Sequence, residues 1–340
     1  MKIWKRTLAL LLALMMALAL AACSDSGEQQ SDPGASAGAQ NTPSGGDGEG
    51  YVVGICQQAP HDALVQATQG FKDALNDILG EGAVSFREQD AAGEYPNCGT
   101  IIDGFLAEGV DLILANATYP LQAAASATGE VPILGTSVTD YATALELDDW
   151  TGTVGGNISG TSDLAPLDQQ AAMIQELFPD AKSVGLLYCS GEPNSAYQVN
   201  TIQGHLEDLG YTCQQYAFAD ANDLPSVAQT ACDSSDVIYI PTDNTAANNT
   251  EVIANVVLAA GVPVVAGESG ICQGCGVATL SISYYELGYT TGEMAAQILK
   301  GEADISTMPV QYAPQVTKMY NADNCQALGI TPPEGYEPIA

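Results

Sequence analysis

From Tyr51 onward, short apolar runs alternate with longer segments whose apolar residues recur every three or four positions. "YVVGIC" (51–56) is β-branched and unbroken, and residues 63–79 place Leu64, Ala67, Phe71, Leu75 and Ile78 at helical spacing. "AVSFREQ", "VDLILAN" and "VPILGTS" predict further strands, with a helix over "TIIDGFLAEG" that stops at glycine. The second half repeats the scheme. Strands are predicted at "SVGLLYC", "YTCQQYAF", "DVIYIP" and "VPVVAGE", and helices through "TIQGHLEDLG", "LPSVAQTAC" and "ANVVLAAG". Such an alternation predicts an α/β chain with parallel sheets covered on both faces.

The two halves also echo each other. "GVDLILANATYP" followed by "VPILGTSVTD" matches "SSDVIYIPTDNT" followed by "VPVVAGESG". Two similar Rossmann-like lobes are therefore expected. Many strands end in dense polar stretches, of which "PTDNT", "NISGTSD" and "GEPNS" are the clearest. A helix N-cap needs one such residue, and these supply several. In open parallel sheets ligands sit beyond the carboxyl ends of strands, where helix N-termini offer free N–H groups and partial positive charge. The polar ends thus predict a ligand cleft between the lobes, with capping as the competing explanation for any single residue.

The first 22 residues stand apart. Lys2, Lys5 and Arg6 precede an apolar stretch from Leu8 to Ala22, too short to span a bilayer comfortably. It ends in Leu20-Ala21-Ala22-Cys23, which resembles a bacterial lipobox with Cys23 as the lipidated residue. Residues 23–50 are rich in Gly, Ser, Asp and Pro and read as a lipid-anchored disordered linker. Anchor, tether and body together predict a protein held at the extracytoplasmic face of the cell membrane.

Composition narrows the function. Of 340 residues 46% are hydrophobic, enough for a large core, and the charged residues are 41 acidic against 8 basic. Nucleic acid is excluded as a partner, because phosphate neutralisation needs clustered Lys and Arg. Apart from Cys23 there are eight cysteines, and Cys272-Gln-Gly-Cys275 is a lone CxxC, better read as a local disulfide or two free thiols than as a zinc site. Only two histidines occur: His61 just past the first strand, and His205 on a helix that reads as surface. There is no G-x-S-x-G, Walker loop, G-x-G-x-x-G after the first strand or H-E-x-x-H. No enzyme, cofactor or metal is predicted.

The lipobox, "VGICQ", "GFLAEGVDLILANAT", "VPILGTSVTD", "GNISGTSDL", "VGLLYCSGEPNS", "VIYIPTDNT", "VPVVAGES" and "SISYYELGYTTGEMAAQILKGE" together resemble the tryptophan/tyrosine-type substrate-binding lipoproteins of ABC transporters. The resemblance runs from 51 to about 335, and "PTDNT" and "YYELG" are its most specific pieces. It implies a type I periplasmic-binding-protein fold with a three-crossover hinge, an N-terminal lobe of 51–157 plus 279–303, and a C-terminal lobe of 158–278 plus 304–340. It implies a monomer that delivers a small ligand, an aromatic amino acid, to separate permease and ATPase subunits. Two departures from the family pattern border the cleft: the cysteines at 272 and 275, and Asp62 after His61 where the family has a His-Pro pair.

A zwitterion needs partners for both charges. Thr118, Ser137, Thr139, Ser162 and Ser195 are expected to hold the carboxylate with helix N-termini, and Asp243 and Glu268 the ammonium. Asn194 and Asn244 would orient the ligand, Gln57 would add a contact, Tyr119 would stack on it, and Asp163 joins the expected lining. A cell-surface adhesin or sensor on the same fold is the alternative function.

Overall fold

The structure is a computed structural model that describes residues 50–313 and 315–339. The signal segment, Cys23 and most of the linker lie outside the described residues. The apolar runs form the expected strands. In chain order the elements are β1 (Tyr51–Gln57), α1 (Asp62–Leu79), β2 (Val84–Asp90), α2 (Tyr95–Glu108), β3 (Leu112–Asn116), α3 (Thr118–Ala127), β4 (Ile133–Val138), α4 (Tyr141–Leu145) and β5 (Ile158–Ser162). There follow α5 (Leu167–Leu177), β6 (Ser183–Cys189), α6 (Pro193–Asp208), β7 (Thr212–Phe218), α7 (Leu224–Cys232), β8 (Val237–Ile240), α8 (Asn244–Ala247), α9 (Thr250–Ala260), β9 (Val264–Ala266), α10 (Ser269–Cys275) and β10 (Ala278–Ser281). The chain closes with α11 (Tyr284–Leu299), β11 (Gln311–Tyr312), β12 (Thr317–Tyr320), α12 (Ala322–Leu328) and β13 (Glu337–Pro338).

Two sheets result, ordered β11-β5-β4-β3-β1-β2 and β13-β12-β10-β9-β8-β6-β7. Pairing is parallel throughout except for β10 with β12. β3 and β8, the echoed strands, are buried at every position, as strands covered on both faces must be. On one face of the first sheet Ile102 and Phe105 of α2 meet Leu121 of α3; on the other Phe71 and Leu75 of α1 meet Met294 of α11. The returning helix α11 seats closely on α1. A Cβ at Gly70 would strike the carbonyl of Tyr285, and one at Gly288 the carbonyl of Ala67, so only glycine permits this approach.

The sheets place the crossings slightly later than expected. β5 was assigned to the second lobe by the boundary at 157, but it pairs with β4 in the first sheet. β10 reaches Ser281 in the second sheet, past the boundary at 278, and β11 pairs with β5 in the first, past the boundary at 303. The chain therefore crosses between β5 and α5, between β10 and α11, and between β11 and β12. The cause is that β5, "ISGTS", is buried although it is polar. Ser159 donates to the Met308 carbonyl at 3.0 Å, and Thr161 lies 2.8 Å from the Thr291 hydroxyl.

Candidate functional site

The carboxyl ends of the first sheet form one wall. Gln57 ends β1, and its amide is locked within the lobe: it donates to Ala59 O and Asp90 Oδ2, both at 3.0 Å, and accepts from Thr68 at 2.8 Å. Gln58 accepts the Tyr119 N–H at 3.2 Å, fixing the start of α3, where Thr118 is buried. Ala117, just after β3, and Ser137, near the end of β4, have φ of +96° and +53°. Non-glycine residues in such conformations cost about 1–3 kcal/mol each and gather at ligand sites. The kink at Ser137 coincides with a register shift in β4 and leaves the Ser137 hydroxyl buried without a partner. Thr139 is buried just beyond it.

The first crossover supplies the floor. Ser162 donates to Thr139 O at 2.8 Å, and Asp163 accepts the Tyr284 hydroxyl at 3.0 Å through Oδ2, while its Oδ1 is buried and unpartnered. Burial pushes the Asp163 carboxyl up, and the nearby hydroxyls of Thr139 and Tyr284 pull the other way.

The second wall repeats the design with more carboxylates. Glu192, before α6, accepts from the Asn244 N–H at 3.0 Å, the Asn244 amide at 2.8 Å, and both the N–H and hydroxyl of Thr245 at 2.8 and 2.7 Å. Asn194 donates to Thr242 O at 3.1 Å and keeps its own Oδ1 buried and unpartnered. Asp243 caps α8: its oxygens accept the Cys189 N–H at 2.7 Å and the Ala246 N–H at 2.8 Å, with Ser195 buried beside it. Glu268 caps α10 through the N–H groups of Gly270 and Ile271. Burial, then the charge of Glu192, pushes Asp243 up to about 7. Burial also pushes Glu268 up to about 7, reinforced by Asp163 and Asp62 opposite.

Among the described residues, hydrogen bonds join the walls directly. The Tyr119 hydroxyl donates to Gly191 O at 2.5 Å, and His61 Nε2 lies 3.1 Å from Asn244 Oδ1. Tyr95 packs edge-on against Tyr119 at 5.1 Å. His61 is pulled below its ordinary range, because burial disfavours the imidazolium more than Asn244 and Glu192 favour it.

All twelve expected lining residues therefore gather at these strand ends, buried except for the half-buried Tyr119 and Asn244. For Asp243 and Glu268, backbone N–H groups already occupy both oxygens: Glu268 caps α10 with both, and Asp243 caps α8 with one and holds the end of β6 with the other. Sequence reasoning passed over Glu192, Gln58 and Tyr284, although Glu192 lies in "GEPNS" and Tyr284 in "YYELG". All five described Lys and Arg side chains lie off the cleft. Lys72, Arg87, Lys300 and Lys318 pair with Glu88, Glu108, Glu302 and Glu176, and Lys182 is exposed before β6. His205, expected at the surface, is half-buried in a hollow of about 540 Å³ at the crossovers, away from these walls. Cys272 and Cys275 are buried, unpaired thiols.

Two doubly wound lobes, joined by three crossings and with facing polar strand ends, define a type I periplasmic-binding-protein fold. Residues 52–336 match the family model described as ABC transporter substrate binding protein, and the chain belongs to that family. It is 30% identical over 278 residues to the tyrosine-binding protein of Clostridioides difficile (strain R20291), covering 81% of this chain and 80% of the relative. It is 29% identical to the ABC domain from Streptococcus pneumonia solved in complex with L-Trp, with a TM-score of 0.81 over 85% of this chain and 100% of that one. It is 31% identical to a substrate binding protein with adhesive properties from Clostridium difficile in its ligand-free, open structure, with a TM-score of 0.66 over 85% of this chain and 99% of that one.

Proposed function

We propose that this chain is an extracytoplasmic lipoprotein that captures an aromatic amino acid between its lobes and hands it to an ABC importer. The carrying observation is the set of buried, unpartnered polar atoms at the facing strand ends: Ser137 Oγ, Asp163 Oδ1 and Asn194 Oδ1. Buried polar groups are nearly always hydrogen-bonded, so such a set marks where a polar ligand belongs. The named ligands of two relatives, tyrosine and L-Trp, support the aromatic class.

In this reading Cys23 carries the lipid, residues 23–50 are the leash, and the body works as a monomer with permease and ATPase subunits. Thr118, Ser137, Thr139 and Ser195, with the N-termini of α3 and α6, receive the ligand carboxylate. No bond is made or broken; the work is hinge closure. The adhesive relative favours a second reading, attachment at the cell surface on the same fold.

Calorimetry with the twenty amino acids tests the proposal. L-tryptophan or L-tyrosine should bind and be recovered unchanged. At a hundredfold excess over Kd the ligand should add about 2.7 kcal/mol of stability. No binding to any amino acid would leave the attachment reading standing.

A further inference from the structure

Four buried carboxylates flank the cleft, Asp163, Glu192, Asp243 and Glu268, each 3% exposed or less, and no lysine or arginine accompanies them. Three are well supplied with donors. Glu192 accepts from Asn244 and Thr245, Asp243 from the Cys189 and Ala246 N–H groups, and Glu268 from those of Gly270 and Ile271. Asp163 differs. Its donors are the hydroxyls of Tyr284 and Thr139, its Oδ1 has no hydrogen-bond partner of standard geometry, and the charge it feels from the other lobe is that of Glu268 rather than a cation. A buried carboxylate so supplied stays ionised only beside a charged partner and otherwise takes up a proton. A cation that brings its own N–H donors would complete the set, and the ammonium of the proposed ligand is such a cation.

We infer that Asp163 is the anchor for the ligand's ammonium group, and that the cleft selects primary amines by this charge more strongly than it selects carboxylates. This rests on the function proposed above and deepens it. It moves the ammonium from Asp243 and Glu268, whose oxygens all accept backbone N–H groups, to the first crossover. The same residue then reads the ligand and sits on the hinge strand that must move for closure. The ligand carboxylate meets only hydroxyls, amides and helix N-termini, so its loss matters less.

The test uses three indole compounds on the full chain: L-tryptophan, indole-3-lactate (hydroxyl in place of ammonium) and tryptamine (no carboxylate). The wild-type protein should bind L-tryptophan and tryptamine, and indole-3-lactate about a hundredfold more weakly than L-tryptophan. Asp163→Asn, with its fold checked by circular dichroism and melting, should lose about a hundredfold for L-tryptophan and change little for indole-3-lactate. Equal wild-type affinity for L-tryptophan and indole-3-lactate overturns the inference without any variant, so a failure of Asp163→Asn to fold does not shield it. Wild-type affinity for L-tryptophan in Asp163→Asn also overturns it while leaving the proposed function intact. If the wild-type protein binds none of the three, nor L-tyrosine, the proposed function falls and this inference with it.

Discussion

At the scale of single residues, the cleft is set by which oxygens the backbone has already claimed. Asp243 and Glu268 look alike in sequence to any carboxylate that could receive an ammonium, yet each is turned back onto the helix it begins. Burial, which outweighs those backbone hydrogen bonds, gives Glu268 a pH signature. Glu268 is held at about 7 when folded against 4.5 ordinarily, so the native state binds its proton more tightly than the unfolded chain does. Stability from this group is greatest below the unfolded value and is lost as pH rises toward 7. His61 acts oppositely: its folded value is lowered, so protonation costs stability as pH falls below its ordinary range. Comparing one variant with wild type separates the two. Glu268→Gln should gain on wild type between pH 5 and pH 8, by about 1–3 kcal/mol. A melting-temperature difference that stays flat across that range would show the carboxyl to be ionised without penalty.

At the scale of elements, the periodicity carried most of the fold. The stretches read as helical became α1, α2 and α6, of 18, 14 and 16 residues, because their apolar faces had a sheet to cover. What periodicity could not show was β5, whose polar residues are satisfied sideways by hydroxyls and carbonyls rather than by water. β11 is two residues long and has no pattern to read. In the site, the polar strand ends were legible, and the division of labour among them was not. Whether an oxygen is free depends on N–H positions that only the folded backbone fixes, which is how Glu192 escaped notice. The seating of α11 on α1 offers a sharp check. Gly288→Ala drives a Cβ into the Ala67 carbonyl and should cost about 1–3 kcal/mol, read as a lower urea midpoint. An unchanged midpoint would mean that the two helices can slide apart freely.

At the scale of the whole molecule, closure is held by few direct contacts between lobes. Tyr119 to Gly191 and His61 to Asn244 each span the cleft once. Removing either, as Tyr119→Phe or His61→Ala, should weaken the closed form by about 1 kcal/mol, roughly fivefold in affinity. The change should appear as faster ligand release in stopped-flow measurements, with melting of the ligand-free protein little altered. Slower association at an unchanged release rate would place both contacts before closure rather than after it.

The two-residue strand β11 finishes the first sheet after the chain has already built nearly all of the second. Neither half can therefore be excised as a continuous gene fragment. A ribosome that has delivered β1 to β5 has delivered a sheet with an unprotected edge at β5, which waits for the closing segment until translation is almost over. The strands that complete the first sheet are thus made on either side of most of the second.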